Sequence, residues 1–109
     1  MKIAVSATGG SMSALVSEQF GRCAYFLIVD SESMRFEPVS NPATGMSGGA
    51  GPEAVRVIAA KGAEVVLTGR VGPNAENALR AAGIRLAGGA SGSQTVRQAV
   101  EEYLKAAGR

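Results

Sequence analysis

At 109 residues, 46% hydrophobic and 18% charged, the chain is sized for a single domain (1–109) with a core of its own, not for a disordered segment. A net charge of +2, with Lys and Arg scattered and no interleaving of cations with aromatics, argues against a nucleic-acid partner. One cysteine and no histidine exclude an internal disulfide, an all-cysteine metal site within one chain, and the Ser–His and Cys–His nucleophile pairs.

Lys2–Ala7 is apolar and β-branched enough for a buried strand, ended by Thr8-Gly9-Gly10-Ser11. Leu15–Gly21 is expected as a connector containing a helical turn. Ala24–Asp30 has the highest β-propensity in the chain, and Ser31-Glu32-Ser33 turns it into Met34–Val39, giving a hairpin with Met34, Phe36 and Val39 toward one side. That second strand is also a candidate exposed edge for a protein partner. Asn41-Pro42 breaks the pattern before a glycine-rich loop, Met46–Pro52. Pro52 then opens a first helix with Glu53 in its first turn, an apolar stripe of Val55, Ile58 and Ala59, and Gly62 as C-cap. Glu64–Thr68 is a short buried strand. Pro73 opens a second helix with Ala75, Ala78, Leu79 and Ala82 at helical spacing and Gly83 as cap, followed by a last strand, Ile84–Ala87. Gly88–Ser93 is a flexible link, and Thr95 with Gln98 forms a capping box for a third helix marked by Val96, Ala99, Val100, Tyr103 and Leu104.

The order β-β-β-α-β-α-β-α predicts an α/β fold, a five-stranded mixed sheet with its second half parallel and helices on both faces. Ligands of such sheets sit beyond the carboxyl ends of the parallel strands, so the loop after Ala7 (Gly9, Gly10), the glycine loop (Gly48, Gly49, Gly51) and the loop after Leu67 (Gly69, Arg70, Gly72) are expected to converge there. Glycines admit a ligand close to the backbone, and a helix start offers unpaired N–H groups at a positive dipole end. Arg70 and Arg22 could pair with an anion. The same loop also reads as a solvent-exposed linker, and Thr68–Asn74 as a tight turn with an exposed arginine.

Gly49-Ala50-Gly51-Pro52-Glu53-Ala54 fits the dinucleotide pattern G-x-G-x-x-A, but no buried strand leads tightly into it and Thr68-Gly69 stands where an acidic residue should end the next strand. A P-loop lacks its Gly-Lys-Ser/Thr. A metal-dependent nuclease would need converging carboxylates, and Lys2–Ala7 has none. No nucleophile–base pair can be assembled, so the expectation is a protein that binds without catalysing; Glu18 is expected at most to pair with Arg22. Beside Arg22, Cys23 is either a thiolate that could ligate a metal or a small buried apolar residue. Met12 and Met46 could offer soft sulfur or simply fill space. No apolar run approaches membrane-spanning length and no leader is read, which leads to the expectation of a cytoplasmic protein with no membrane partner; a monomer is also expected.

The strand Met-Lys-Ile-Ala-Val, the run Phe20-Gly21-Arg22-Cys23-Ala24-Tyr25-Phe26-Leu27-Ile28-Val29-Asp30, Asn41-Pro42, the Gly-Gly-Ala-Gly loop and Thr68-Gly69-x-x-Gly72-Pro73-x-Ala75 together resemble the dinitrogenase iron–molybdenum cofactor biosynthesis family, along essentially the whole chain. The resemblance implies a ribonuclease H-like three-layer fold without nuclease residues. It also implies a carrier or assembly role for an iron–sulfur or iron–molybdenum cluster, bound transiently and exchanged with donor and acceptor proteins. Many relatives carry a histidine just before Gly-Ala-Gly; here the stretch is Ser47-Gly48-Gly49-Ala50-Gly51, which makes Cys23 the substitute ligand. Two other roles remain open at this stage: a metal-free sensor of a small molecule or phosphate, and a protein-interaction module.

Overall fold

The structure, a computed structural model, describes residues 1–107. Five strands form one sheet in the order β3-β2-β1-β4-β5. β1 (Lys2–Ala7) lies at its centre, antiparallel to β2 (Tyr25–Asp30) and parallel to β4 (Val65–Leu67); β3 (Phe36–Ser40) and β5 (Arg85–Ala87) form the edges. Three helices, α1 (Ala50–Ala60), α2 (Pro73–Ala82) and α3 (Val96–Ala106), complete the predicted element order. This is the expected mixed sheet, and it is compatible with the ribonuclease H-like label.

Both faces of the sheet are covered, so the buried stretches of its central strands are apolar apart from Ser6 and alternate between two cores. Ala4, Phe26, Ile28 and Val66 point to one face, where Val55 and Ile58 of α1 and Leu79 of α2 cover them. Ile3, Val5, Leu27, Val29 and Leu67 point to the other, under Val96 and Val100 of α3. Phe20 closes the first core against Phe26, with ring centroids 5.3 Å apart. Thr95 and Gln98 form the expected capping box of α3, each side chain accepting from the other's backbone N–H.

Three local expectations are corrected. The connector after β1 contains no helical turn. It runs extended, because Leu15, Val16 and Gln19 form bridges to Thr95, Ala7 and Arg70 instead of bonding locally. Met34 belongs to the β2–β3 turn, with φ 59°, where its N–H donates to the Asp30 carbonyl at 2.7 Å. The strand therefore begins at Phe36, which pairs with Val29 on the α3 face; α3 packs over β1, and Phe36 stays exposed on the edge while Val39 packs into the α1 side. In the helices, Ala59 and Ala82 lie on the solvent side of the stripes expected to hold them, and α1 starts at Ala50, not Pro52.

Candidate functional site

Gly49 is the N-cap of α1, with φ 72°, a left-handed conformation that glycine adopts without strain. Two residues on, Gly51 faces the first turn of α2. A β-carbon there would lie 2.7 Å from Ala75 Cβ, so the bare backbone lets the two helix starts touch. Gly21 packs on the same turn; its own added β-carbon would sit 3.1 Å from the Gly51 nitrogen. The third wall comes from Gly69 and Arg70. The Arg70 N–H donates to the Glu18 carbonyl at 2.7 Å, and the Phe20 N–H donates back to the Arg70 carbonyl at 3.3 Å.

These contacts enclose a cleft of about 590 Å³ lined by three segments, 19–22, 49–52 and 70–75. Its lining contains Arg22 and Arg70 and no carboxylate. Glu53, in the first turn of α1, is paired with Arg56. Neither helix start has a side-chain cap: Gly49 precedes one and Gly72 the other, and each helix has a proline in its first turn. The N–H groups of Ala50, Gly51, Asn74 and Ala75 have no acceptor among the described residues. Two positive dipole ends thus converge on one carboxylate-free space, whereas the first N–H groups of α3 are all taken: Val96 donates to the Ala14 carbonyl, Arg97 to the Met12 carbonyl and Gln98 to the Thr95 hydroxyl. Chemically the cleft can hold a polyanion by charge and by N–H donation.

Of the residues singled out from sequence, Arg22, Gly49, Gly51, Arg70 and Gly72 line this cleft. Gly48 lies just outside it. Gly69 does not line it but supports it, since its missing side chain lets Glu18 pass. Gly9 and Gly10 are not brought to the cleft; the loop after β1 turns toward the hairpin, with Gly10 against Tyr25 and Pro38. The convergence therefore joins the glycine loop to the loop after β4 and to the Gln19–Arg22 segment, without the loop after β1. Sequence reading missed Asn74, Ala75 and Gln19, which line the cleft, and also Asn41. Asn41 is buried. Its amide nitrogen donates to the Gly21 and Cys23 carbonyls at 3.1 and 2.9 Å, and its oxygen accepts from the Ala43 N–H at 3.0 Å, which fixes the backbone on either side of Arg22. Its signal was the Asn-Pro dipeptide, read as a strand end and as part of the family resemblance but not as a support of the site.

Of the two readings of Cys23, the small buried apolar residue holds and its activation by Arg22 is corrected. The Arg22 guanidinium reaches the Met46 carbonyl at 2.6 Å, not the thiol, while Cys23 is 2% exposed and lies in the core under α1. Burial pushes the thiol from its ordinary 9.0 up to about 12, against smaller opposing effects of hydrogen bonds from the Ala7 backbone and Asn41. The expected Glu18–Arg22 pair is also absent; the Glu18 carboxylate accepts from the Gly92 N–H at 2.7 Å. Met12 is buried core filling, and Met46 sits in the glycine loop beside Gly49.

A folded-state pKa above the unfolded one means the native state holds the proton longer, so the stabilising difference is intact below pH 9.0 and is lost as pH rises toward 12. Stability is expected to fall by up to about 1.4 kcal/mol per pH unit in that window. In denaturant melts between pH 8 and 11, Cys23→Ala should flatten that slope; an unchanged slope would refute the buried-thiol account.

Comparison with known proteins gives the lineage. No curated protein matches. Among solved structures, the apo form of the orange protein from Desulfovibrio gigas superposes with a TM-score of 0.93 at 46% identity, over 96% of this chain and 88% of that one. A Thermotoga protein provisionally described as a NifB protein superposes at 0.78 with 33% identity, over 95% of this chain and 87% of that one. No helix among the described residues is long and apolar enough to cross a membrane. The model of the dinitrogenase iron–molybdenum cofactor family matches residues 1–106, and the chain belongs to that family.

Proposed function

We propose that the protein is a non-catalytic carrier of an anionic metal–sulfur cluster of the iron–sulfur or iron–molybdenum type, received from and passed to partner proteins of cofactor assembly. The observation that carries this reading is the carboxylate-free cleft with four unoccupied helix N–H groups and two arginines. The donor set defines what kind of cargo fits. Among the described residues no three His, Cys, Asp or Glu side chains come together, and the single cysteine is buried with a raised pKa. A cluster with open coordination positions would find no protein ligand here. One that carries all its own sulfide or thiolate ligands presents only negative charge and sulfur acceptors, which N–H groups and guanidinium groups bind. Transient holding follows from that, because no metal–protein bond must break on release.

Anaerobic titration with a synthetic, fully ligated iron–sulfur or iron–molybdenum cluster tests the proposal. Uptake should be followed by its visible spectrum, weaken with added salt, survive Cys23→Ala, and drop about tenfold or more when Arg22 or Arg70 becomes alanine. No spectral change with any cluster would refute it. The absence of a ligating group favours one alternative, a metal-free sensor using the same cleft for an organic phosphate. Thermal shifts with organic phosphates, in the absence of any with clusters, would decide for it.

A further inference from the structure

We infer that Arg22 is a clasp: one end of its guanidinium holds the glycine loop while the other grips the bound anion, so that occupancy of the cleft orders the loop. The inference rests on the cleft being an anion site. It concerns the loop between Thr44 and Gly49, which the carrier reading leaves without a role.

The base of the clasp is fixed. Asn41 donates to the carbonyls of Gly21 and Cys23, on either side of Arg22. Gly21 is pressed against the first turn of α1. From that base the guanidinium uses one nitrogen on the loop: Nη1 donates to the Met46 carbonyl at 2.6 Å and lies 3.5 Å from the Thr44 carbonyl. Nε and Nη2 have no acceptor among the described residues, and Arg22 lines the cleft. In a planar guanidinium, Nε and Nη2 form a fork that suits two acceptor atoms of one anion, and using it leaves Nη1 in place. Lysine, a single point donor on a flexible stem, cannot serve the carbonyl and the anion in two fixed directions.

The loop needs such a tether. Gly45, Gly48 and Gly49 lie within six residues, and a β-carbon at Gly45 or Gly48 would meet nothing within 4 Å. Such a segment has much conformational freedom to lose. Its far end is Gly49, the N-cap that aims the Ala50 and Gly51 amides. An anion on the fork restrains the guanidinium, the restrained guanidinium strengthens its hold on Met46, and the held loop fixes the N-cap. By linkage, a pre-ordered loop binds the anion more tightly by the same factor. Arg70 differs. Its side chain has no hydrogen-bond partner among the described residues, so it supplies charge without a tether. A loaded protein would therefore present an ordered Thr44–Gly49 loop and an empty one a looser loop, a difference that a receiving protein can read.

Backbone ¹⁵N relaxation on the whole chain tests this with inorganic phosphate as the probe. Phosphate at saturation is expected to raise the order parameters of residues 44–49. Arg22→Lys keeps the charge and should lose roughly tenfold in phosphate affinity, with no rise in loop order even when saturated. Arg70→Lys should leave the rise in loop order intact. Phosphate binding without ordering in the wild type, or ordering that persists in Arg22→Lys, overturns the clasp. Failure of phosphate to shift Arg22 also overturns it, without bearing on cluster uptake, which is read from the cluster's own spectrum.

Discussion

Gly69→Ala should destabilise the protein by about 3 kcal/mol, the upper end of the usual cost of overpacking, and lower the melting temperature by about 10 °C or more. The added β-carbon would lie 2.7 Å from both the α-carbon and the carbonyl oxygen of Glu18. Both are backbone atoms, so no rotamer change relieves the contact. The bond from the Arg70 N–H to that same carbonyl, 2.7 Å long, would have to open, and the Gln19–Arg70 bridge with it. Loss of anion binding should accompany loss of stability, since Gln19, Phe20 and Arg70 all line the cleft. Gly72→Ala is the control. It sits in the same loop with φ −73°, nothing stands within 4 Å of its added β-carbon, and its effect on stability should stay below about 0.5 kcal/mol. Equal effects of the two substitutions in a denaturant melt would show that the Glu18 contact is not what requires Gly69.

Gly51→Ala separates binding from folding. Alanine in a helix gains up to about 1 kcal/mol over glycine, which offsets part of the 1–3 kcal/mol cost of overpacking, so the net loss of stability should be small. Binding should suffer more. The new β-carbon meets Ala75 Cβ at 2.7 Å and forces the α1 and α2 starts apart, spreading the four N–H groups that share the cleft. A loss of about tenfold in anion affinity corresponds to about 1.4 kcal/mol, the scale of one charge-assisted hydrogen bond. The reciprocal change supplies the check. In Gly51→Ala with Ala75→Gly the nearest remaining atoms are the residue-75 α-carbon and nitrogen at 3.5 and 3.6 Å, ordinary contact distances. Isothermal titration should find the affinity restored in the double variant. Failure of that rescue would mean that helix spacing does not set the affinity.

Much of the fold was legible because its signals are local or periodic. The apolar runs of β1 and β2, the prolines in the first turns of α1 and α2, Gly83 after α2 and the Thr95–Gln98 box each state a structure within a few residues. The misreadings came where a distant segment decided the outcome. Leu15–Gln19 is extended because Ala7, Arg70 and Thr95 offer it bridges, which no local pattern reveals. The site divides in the same way. Glycines at Gly49, Gly51 and Gly72 pointed to a cradle. That Gly10 turns to Tyr25, and that Arg22 reaches Met46 across 24 positions instead of touching Cys23, depends on how the loops pack. Of the two readings of Cys23, the small buried residue is the one the structure bears out; the thiolate reading took adjacency to Arg22 in sequence for adjacency in space, and burial reverses the sign of the effect.

The cleft draws its walls from three stretches of chain, 19–22, 49–52 and 70–75, and none of them forms it alone. On the carrier reading proposed above, an unfolded chain, which lacks the assembled cleft, would not hold the cargo, and supply of the cargo would be coupled to survival of the protein. At a free concentration a hundred times the dissociation constant, bound cargo adds about 2.7 kcal/mol to the folded state and lowers the unfolded fraction about a hundredfold. Where degradation acts on the unfolded chain, the amount of such a carrier in the cell would then become a gauge of the cargo pool: molecules made in excess of their cargo would be the first to be removed.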